Sequence, residues 1–268
     1  MKPPLRVLTC ALASAGVLAS VPAGANPGIQ RVAGGPGASA MLKNGVLTMH
    51  WAGGSSRIQV PPDYVLPAVT TRGQLGGVSH DGRTVVLAKG RLDGGRSRFL
   101  VAENGGLRPL AFRGQVAFDA VAPHGSAIYL TRRASATDAT RYTVLSYNRV
   151  DRTLNPVATK VVFSAEGNEK PDGWTMQGQP LARSTASDGT WTYTLYRSRA
   201  YPFIHALPLG QGAWAMCVEL PGSWNGRVGT LRLRAGANLT VDVLNAQGAV
   251  VATADLATTR LTLKSPSA

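Results

Sequence analysis

The segment Ser79-His80-Asp81-Gly82-Arg83-Thr84-Val85-Val86-Leu87 joins a polar start, a turn that ends in glycine and a β-branched run. Asp-Gly favours a tight turn because glycine adopts a positive φ without steric cost. The Thr-Val-Val-Leu run that follows contains residue types that strands prefer. The segment therefore predicts a turn over 79–82 and a strand that begins near Thr84.

The same order of residues recurs twice further along the chain. The segments 122–130 and 186–193 also begin with a small residue, place glycine fourth and continue with a strand-forming run. Their glycines, Gly125 and Gly189, extend the series from Gly82 at spacings of 43 and 64 residues. Weaker matches to the repeat occur at Gly45 and Gly236. A period of roughly 40–45 residues with several strands per unit is typical of propeller blades.

These repeats predict an all-β protein, built as a β-propeller-like array of about five short blades. We assign the repeats to residues 40–225, and residues 226–268 to either a final blade or a small β-hairpin or sandwich-like cap. Residues 26–39 are rich in Gly, Pro and Ala and predict a flexible lead-in. The longer spacing before the third repeat predicts an inserted loop over residues 165–174.

The repeat also resembles that of a known group of proteins. The pattern Ser-x-Asp-Gly-x-x-x-x-Leu at 79–87 resembles the repeat of secreted bacterial propellers of the TolB, YVTN and WD40-like type. Further segments are similar to secreted actinobacterial proteins of this kind, namely 118–123, 138–142, 191–196 and 202–207. The resemblance covers residues 75–221 and departs from the usual pattern where His124 replaces the turn Asp. It implies a propeller, a fold that hosts both binding proteins and enzymes.

The N-terminus has the features of a secretory signal peptide. Lys2 and Arg6 precede an apolar run over 7–21, and Ala23-Gly24-Ala25 matches a signal peptidase site. Cleavage there predicts a signal peptide over residues 1–25 and a secreted, extracytoplasmic mature chain. The alternative is an uncleaved N-terminal anchor.

Cys217 is the only cysteine of the predicted mature chain, because Cys10 lies in the signal peptide. An intramolecular disulfide is therefore excluded in the mature form. Cys217 is either a buried apolar residue among Ala, Met and Val neighbours, or a reactive thiol or intermolecular link.

The chain is strongly basic, with a formal net charge of +14 at pH 7. Such an excess favours anionic partners. The cations are dispersed, however, in small groups such as 91–98, 132–133 and 197–199, and a GC-rich genome also enriches arginine. We expect a protein or an anionic envelope polymer as the partner, and the absence of a basic block or helix disfavours nucleic acid.

The candidate binding residues fall in two places. His80 and His124 occupy neighbouring slots near equivalent turns, so a propeller places both at one end. Glu169, Asp172 and Trp174 lie in the predicted insertion, where carboxylates beside an aromatic ring suit a sugar or a cation. The alternatives are that the histidines act as turn-forming residues and that the insertion is a solvated surface loop.

No catalytic template is present: the chain lacks G-x-S-x-G, H-E-x-x-H, a Walker loop and C-x-x-C. Asp119 and Asp138 lie near turns and are interpreted as turn formers. We predict no metal and no cofactor. The leading hypothesis is a secreted, non-catalytic binding or scaffolding propeller of the cell envelope or extracellular space. A propeller hydrolase of lactonase or glycosidase-like type, with its active residues on the axis, is the alternative, and adhesion to anionic polymers is a third.

The residues that line the axis distinguish these hypotheses. A convergent group of Asp, Glu, His and Asn would favour the enzyme. An axis lined with Val, Thr and Ala would favour binding alone.

Overall fold

The computed structural model describes residues 28–133, 141–157, 160–165, 167–169, 175–210 and 214–264. Their regular structure is strand, apart from two 3-10 turns at Gly222–Trp224 and Val228–Thr230. The predicted signal peptide, residues 1–25, lies outside this part of the chain. Among the described residues, no helix has the length and apolar character that crossing a membrane requires.

Five sheets follow one another along the chain, each with an antiparallel core of four strands. Sheet 1 contains β1 (Gln30–Ala33), β2 (Ser39–Lys43), β3 (Val46–Trp51) and β4 (Gly54–Gln59). Sheet 2 contains β5 (Tyr64–Val65), β6 (Thr84–Lys89), β7 (Arg96–Glu103) and β8 (Gly106–Arg113). Sheet 3 contains β9 (Val116–Val121), β10 (Ala127–Arg133), β11 (Arg141–Asn148) and β12 (Thr153–Pro156).

Three short strands lie between sheets 3 and 4, namely β13 (Lys160–Ser164), β14 (Gly167–Glu169) and β15 (Thr175–Gln177). Sheet 4 has the core strands β16 (Gln179–Thr185), β17 (Trp191–Arg197), β18 (Phe203–Pro208) and β19 (Ala215–Glu219). Sheet 5 contains β20 (Arg232–Ala235), β21 (Thr240–Leu244), β22 (Val250–Asp255) and β23 (Arg260–Leu263). The fold is therefore all-β and propeller-like with five blades, as predicted from the repeats.

The three predicted repeat turns share one geometry. Gly82, Gly125 and Gly189 have φ values of +74°, +72° and +74°. Each glycine N–H donates to the carbonyl oxygen three residues earlier, at 2.9–3.0 Å. In sheets 3 and 4 the turn joins the first strand to the second, and in sheet 2 it leads into β6. The sequence alignment of these repeats is confirmed.

The two weaker matches to the repeat, at Gly45 and Gly236, occupy different positions in their sheets. Gly236 lies between β20 and β21, which is the first connection of sheet 5. Gly45 lies between β2 and β3, one connection too late, so its assignment to the repeat was wrong. Asn44 and Gly45 have φ values of +51° and +73°, which fit the Asn-Gly hairpin turn that joins two antiparallel strands.

Two expected loops contain strands. The segment 26–39, expected to be a flexible lead-in, contains β1, which pairs with β2 from Gln30↔Leu42 to Ala33↔Ser39. The expected insertion loop over residues 165–174 contains β14, which pairs with β13. The neighbouring β13 pairs in parallel with β19 and extends sheet 4. The strand forms because Val162 and Phe163 bury their side chains in the core.

Hydrophobic clusters join consecutive sheets. One cluster lies between sheets 1 and 2, one between 2 and 3, one between 3 and 4, and one between 4 and 5. A closed five-bladed ring has a fifth interface, between sheets 5 and 1, and no cluster of the described residues fills it. Sheet 1 ends the stack with a polar face that carries Arg31, Lys43 and Arg57, all exposed. Among the described residues, apolar packing therefore joins the five sheets in chain order, from sheet 1 to sheet 5.

Candidate functional site

A cavity lies where the inner segments of sheets 1 to 4 converge. It has a volume of about 500 Å³ and is lined by β1, by residues 74–80 of sheet 2, and by the ends of β9 and β16. Most of its walls are apolar, including Val32, Val78, Phe118, Val121 and Leu209. We call it the axial cavity. Its volume lies within the range of small-molecule sites, roughly 300–1,000 Å³.

A buried ion pair lies at the wall between sheets 3 and 4. Asp119 of β9 and Arg183 of β16 form a salt bridge, and their side chains are only 5 % and 8 % exposed. Arg183 also donates to the backbone carbonyl of Asp119, and its Nε donates to Thr194 Oγ1 at 2.9 Å. The carboxylate charge is thus neutralised by a guanidinium that is itself fully engaged. Asp119 is not positioned to act as a free general base.

A hairpin over residues 68–75 of sheet 2 reaches sheet 4 and contacts the backbone of Arg183. Ala68 and Leu75 form a bridge that closes this hairpin within sheet 2. Its Gln74 side chain exchanges two hydrogen bonds with the backbone of Arg183, at 3.0 and 3.1 Å. The N–H and hydroxyl of Thr71 both donate to a carbonyl at the start of β16. The hairpin therefore ties sheet 2 directly to sheet 4 and narrows the cavity.

His80 lies in a slot between two glycine backbones. A Cβ added at Gly35 would lie 2.3–2.6 Å from the His80 ring, and one added at Gly189 would lie 2.4 Å from the His80 Cβ. The Gly35 N–H also donates to the His80 carbonyl at 2.8 Å. The turns of sheets 1, 2 and 4 therefore meet at this imidazole. The hydrogen bond from the Thr190 N–H contributes most to the lowered pKa of Asp188, and the charge of His80 also helps to lower it.

The two predicted histidines reach the same end of the blades but point differently. The Asp81 N–H donates to the carbonyl of Pro123 at 3.1 Å, which joins the turns of sheets 2 and 3. His80 lines the axial cavity, whereas the side chain of His124 is 81 % exposed. His124 Nδ1 lies 3.2 Å from Asp81 Oδ2. The pair does not converge on one point.

Asp81 organises the turn of sheet 2. It accepts hydrogen bonds from the Ser79 hydroxyl at 2.6 Å and from the Arg83 N–H at 3.1 Å. Burial acts to raise the pKa of Asp81, but these hydrogen bonds and the His124 imidazole outweigh it and lower that pKa below its usual value. The carboxylate is therefore a turn-forming group.

The candidate residues of the insertion lie elsewhere. Glu169 is the last residue of β14 and pairs with Val162 of β13, at the outer edge of sheet 4. Asp172 and Trp174 lie outside the described residues. The described part of the insertion therefore lies at the edge of sheet 4, and none of its residues lines the axial cavity.

Sequence reasoning missed the Asp119–Arg183 pair, and the interpretation of Asp119 as a turn former was wrong, because it lies within β9. A signal was available. Both residues precede their repeat glycine by six positions, so they occupy equivalent places in two consecutive repeats. Opposite charges at equivalent positions of neighbouring blades predict a contact between the blades. Cys217, by contrast, is buried, as its apolar neighbours suggested.

The chemistry of the axial cavity suits binding better than proton transfer. Its lining includes the titratable residues His80, Asp119 and Arg183, and two of these neutralise each other. No group of three metal-ligating side chains occurs among the residues that the structure describes. The remaining polar contacts available to a ligand are hydroxyls such as Ser187 and the His80 imidazole, set among apolar walls.

Comparison with known proteins gives likenesses of fold only. No protein-family model matches the chain, and no curated protein matches it. TolB from Acinetobacter baumannii is similar over 82 % of this chain and 53 % of its own, at 8 % identity and a TM-score of 0.42. A chain of the nidogen/laminin complex is similar over 88 % of this chain and 92 % of its own, at 12 % identity and a TM-score of 0.42. A prolyl endopeptidase is similar over 90 % of this chain and 37 % of its own, at 11 % identity and a TM-score of 0.48. All three contain β-propellers. This chain thus spans about half of that TolB and about a third of that endopeptidase.

Proposed function

We propose that this protein is an extracytoplasmic, non-catalytic binding propeller that holds a small ligand in its axial cavity. One observation carries the proposal: Asp119, the carboxylate of the cavity lining, is neutralised by Arg183 in a buried ion pair. The rest of the lining is mostly Val, Gly, Ala, Thr and Ser. Such a site offers shape, apolar surface and a few hydrogen bonds, which is the usual composition of a ligand pocket.

His80 supports the proposal as the oriented polar contact. Its ring is fixed between two glycine backbones and makes no hydrogen bond within the described part of the chain. A ligand that donates or accepts one hydrogen bond at this imidazole would lose little entropy in the protein, because the ring is already immobilised. Extracytoplasmic location rests on the signal-peptide features of residues 1–25.

The test combines a ligand screen with a matched pair of variants. Small neutral and monoanionic compounds are screened by thermal shift against the secreted chain, and hits are measured by calorimetry. Ser187→Trp places a bulky ring at an exposed position of the cavity lining, and Ser126→Trp makes the same change at an exposed turn position outside it. We expect hits to lose binding in the first variant and to keep it in the second.

The same variants test the hydrolase alternative. Chromogenic esters, lactones and glycosides should not be turned over by the wild-type chain. Turnover that Ser187→Trp abolishes and Ser126→Trp preserves would refute the non-catalytic role. Equal ligand binding by the two variants would refute the axial cavity as the site. Mass spectrometry of the secreted chain should find Asn26 as its first residue, and an intact N-terminus would refute cleavage.

A further inference from the structure

A second, smaller pocket lies at the opposite end of the interface between sheets 2 and 3. Its volume is about 130 Å³, and three cations line it: Lys89, Arg91 and Arg98. Gln115 adds an amide, and apolar walls come from both sheets, including Phe99. The sequence showed these arginines only as a loose group, and the fold brings them together around a recess.

This basic pocket is distinct from the axial cavity. The two share only Phe118, because the start of β9 lines the basic pocket and the end of β9 lines the axial cavity. A ligand in one therefore makes no contact with the polar groups of the other.

One internal carboxylate already occupies part of the cationic site. Asp93 Oδ2 lies 2.8 Å from Arg98 Nε and 3.3 Å from Lys89 Nζ. The hydrogen bond from Lys89, followed by the charge of Arg98, lowers the pKa of Asp93 below its usual value. Asp93 belongs to the hairpin between β6 and β7, where Gly94 and Gly95 both have positive φ. Its side chain is 44 % exposed, so an external anion can compete with it.

We propose that the basic pocket binds the phosphate group of a small phosphate monoester, and that Asp93 is a built-in competitor for the same cations. Three cations face one carboxylate, which leaves two positive charges for a ligand, and a phosphate monoester is close to a dianion at pH 7. Arginine also matches the geometry of phosphate oxygens through paired N–H donors.

Size and wall chemistry narrow the ligand further. A volume of about 130 Å³ corresponds to roughly four water molecules at about 30 Å³ each. This space encloses a phosphate group and a short apolar part, whereas most of a nucleotide or an oligosaccharide would project outside it. The apolar part would contact Val65, Pro67 and Phe99.

The experiment is calorimetric titration of the full chain with inorganic phosphate and with phenyl phosphate. We expect saturable binding of both, and tighter binding of phenyl phosphate because of the apolar wall. Asp93→Asn should tighten phosphate binding about tenfold, because it removes a charged hydrogen-bond acceptor that competes for Lys89 and Arg98. Arg91→Gln, at an exposed position, should weaken it about tenfold.

Matched controls separate the local effect from net charge. Asp151→Asn and Arg57→Gln make the same charge changes at exposed positions of sheets 3 and 1, and both should bind phosphate as the wild type does. Thermal melts establish that every variant is folded. Absence of saturable binding by the folded wild type, or unchanged affinity in both Asp93→Asn and Arg91→Gln, overturns the proposal.

Two sources can supply a phosphate monoester, a free metabolite and a lipid headgroup. Sedimentation with vesicles that contain phosphatidic acid, compared with pure phosphatidylcholine vesicles, distinguishes them. Phenyl phosphate binding without sedimentation identifies a soluble ligand, and sedimentation that Arg91→Gln reduces identifies the headgroup. Both results support the phosphate site.

Discussion

Replacement of Asp119 by leucine should destabilise the protein strongly, because it leaves the Arg183 guanidinium buried without its counter-ion. The arginine side chain is only 8 % exposed. Breaking a buried pair by removing one partner costs about 3–5 kcal/mol. For a chain of this size each kcal/mol lowers Tm by about 2–4 °C, so the expected decrease is roughly 6–20 °C.

A double-mutant cycle identifies the cause. The free energy of unfolding is measured by urea denaturation for Asp119→Leu, Arg183→Met and the combined variant. The combined variant should recover most of the loss, because apolar side chains often replace a buried ion pair at little cost. A loss below about 1 kcal/mol in Asp119→Leu, or no recovery in the combined variant, would refute the assignment of this pair as the neutralised wall of the cavity.

Three further predictions concern the turns and the core. Gly248→Ala should lower the free energy of unfolding by about 1 kcal/mol, and Gly189→Ala should lower it by at least twice as much. Both glycines have positive φ, but only at Gly189 would the new Cβ clash with His80. Equal losses in urea denaturation would contradict this role of the His80 contact. The lowered pKa of Asp81 stabilises the fold at pH values above the ordinary carboxyl pKa, and this contribution disappears as pH falls through the pKa of the folded state. The difference in free energy of unfolding between wild type and Asp81→Asn should therefore shrink below about pH 4. A difference that stays constant with pH would contradict the assignment. Burial raises the pKa of Tyr193 to about 12, so the folded state keeps this phenol protonated after the unfolded chain ionises near 10. Burial also raises the pKa values of Tyr129, Tyr142 and Tyr196, so absorbance titration of Tyr193→Phe should find one late phenol fewer than in the wild type. The loss of stability above about pH 10 should be smaller in this variant, and an unchanged loss would contradict the assignment.

Local chemistry explains why the repeat could be predicted. The turn at Gly82 needs a residue that tolerates positive φ, and the strand after it needs β-branched side chains, so both leave a mark on consecutive residues. The same reasoning failed at Gly45, because an Asn-Gly hairpin turn has the same local composition. It also failed in segment 26–39, where a Gly- and Pro-rich stretch includes β1, which forms by pairing with β2.

The candidate site was less accessible to sequence reasoning. His80 was identified from its place beside a repeat glycine, but its slot between Gly35 and Gly189 depends on three separate blades. Asp119 and Arg183 stand 64 residues apart, and the sequence relates them only through their equivalent places in two consecutive repeats.

The amino-acid sequence by itself determined the all-β class, an array of about five blades and the repeat turns at Gly82, Gly125 and Gly189, because each depends on the conformational preferences of residues close together in the chain. Only the tertiary structure decided which side chains face the axis, that the cavity carboxylate is neutralised, and that Lys89, Arg91 and Arg98 surround one pocket. The reason is that inter-blade contacts depend on how the sheets stack, and stacking is driven by non-directional apolar burial that many sequences satisfy in the same way.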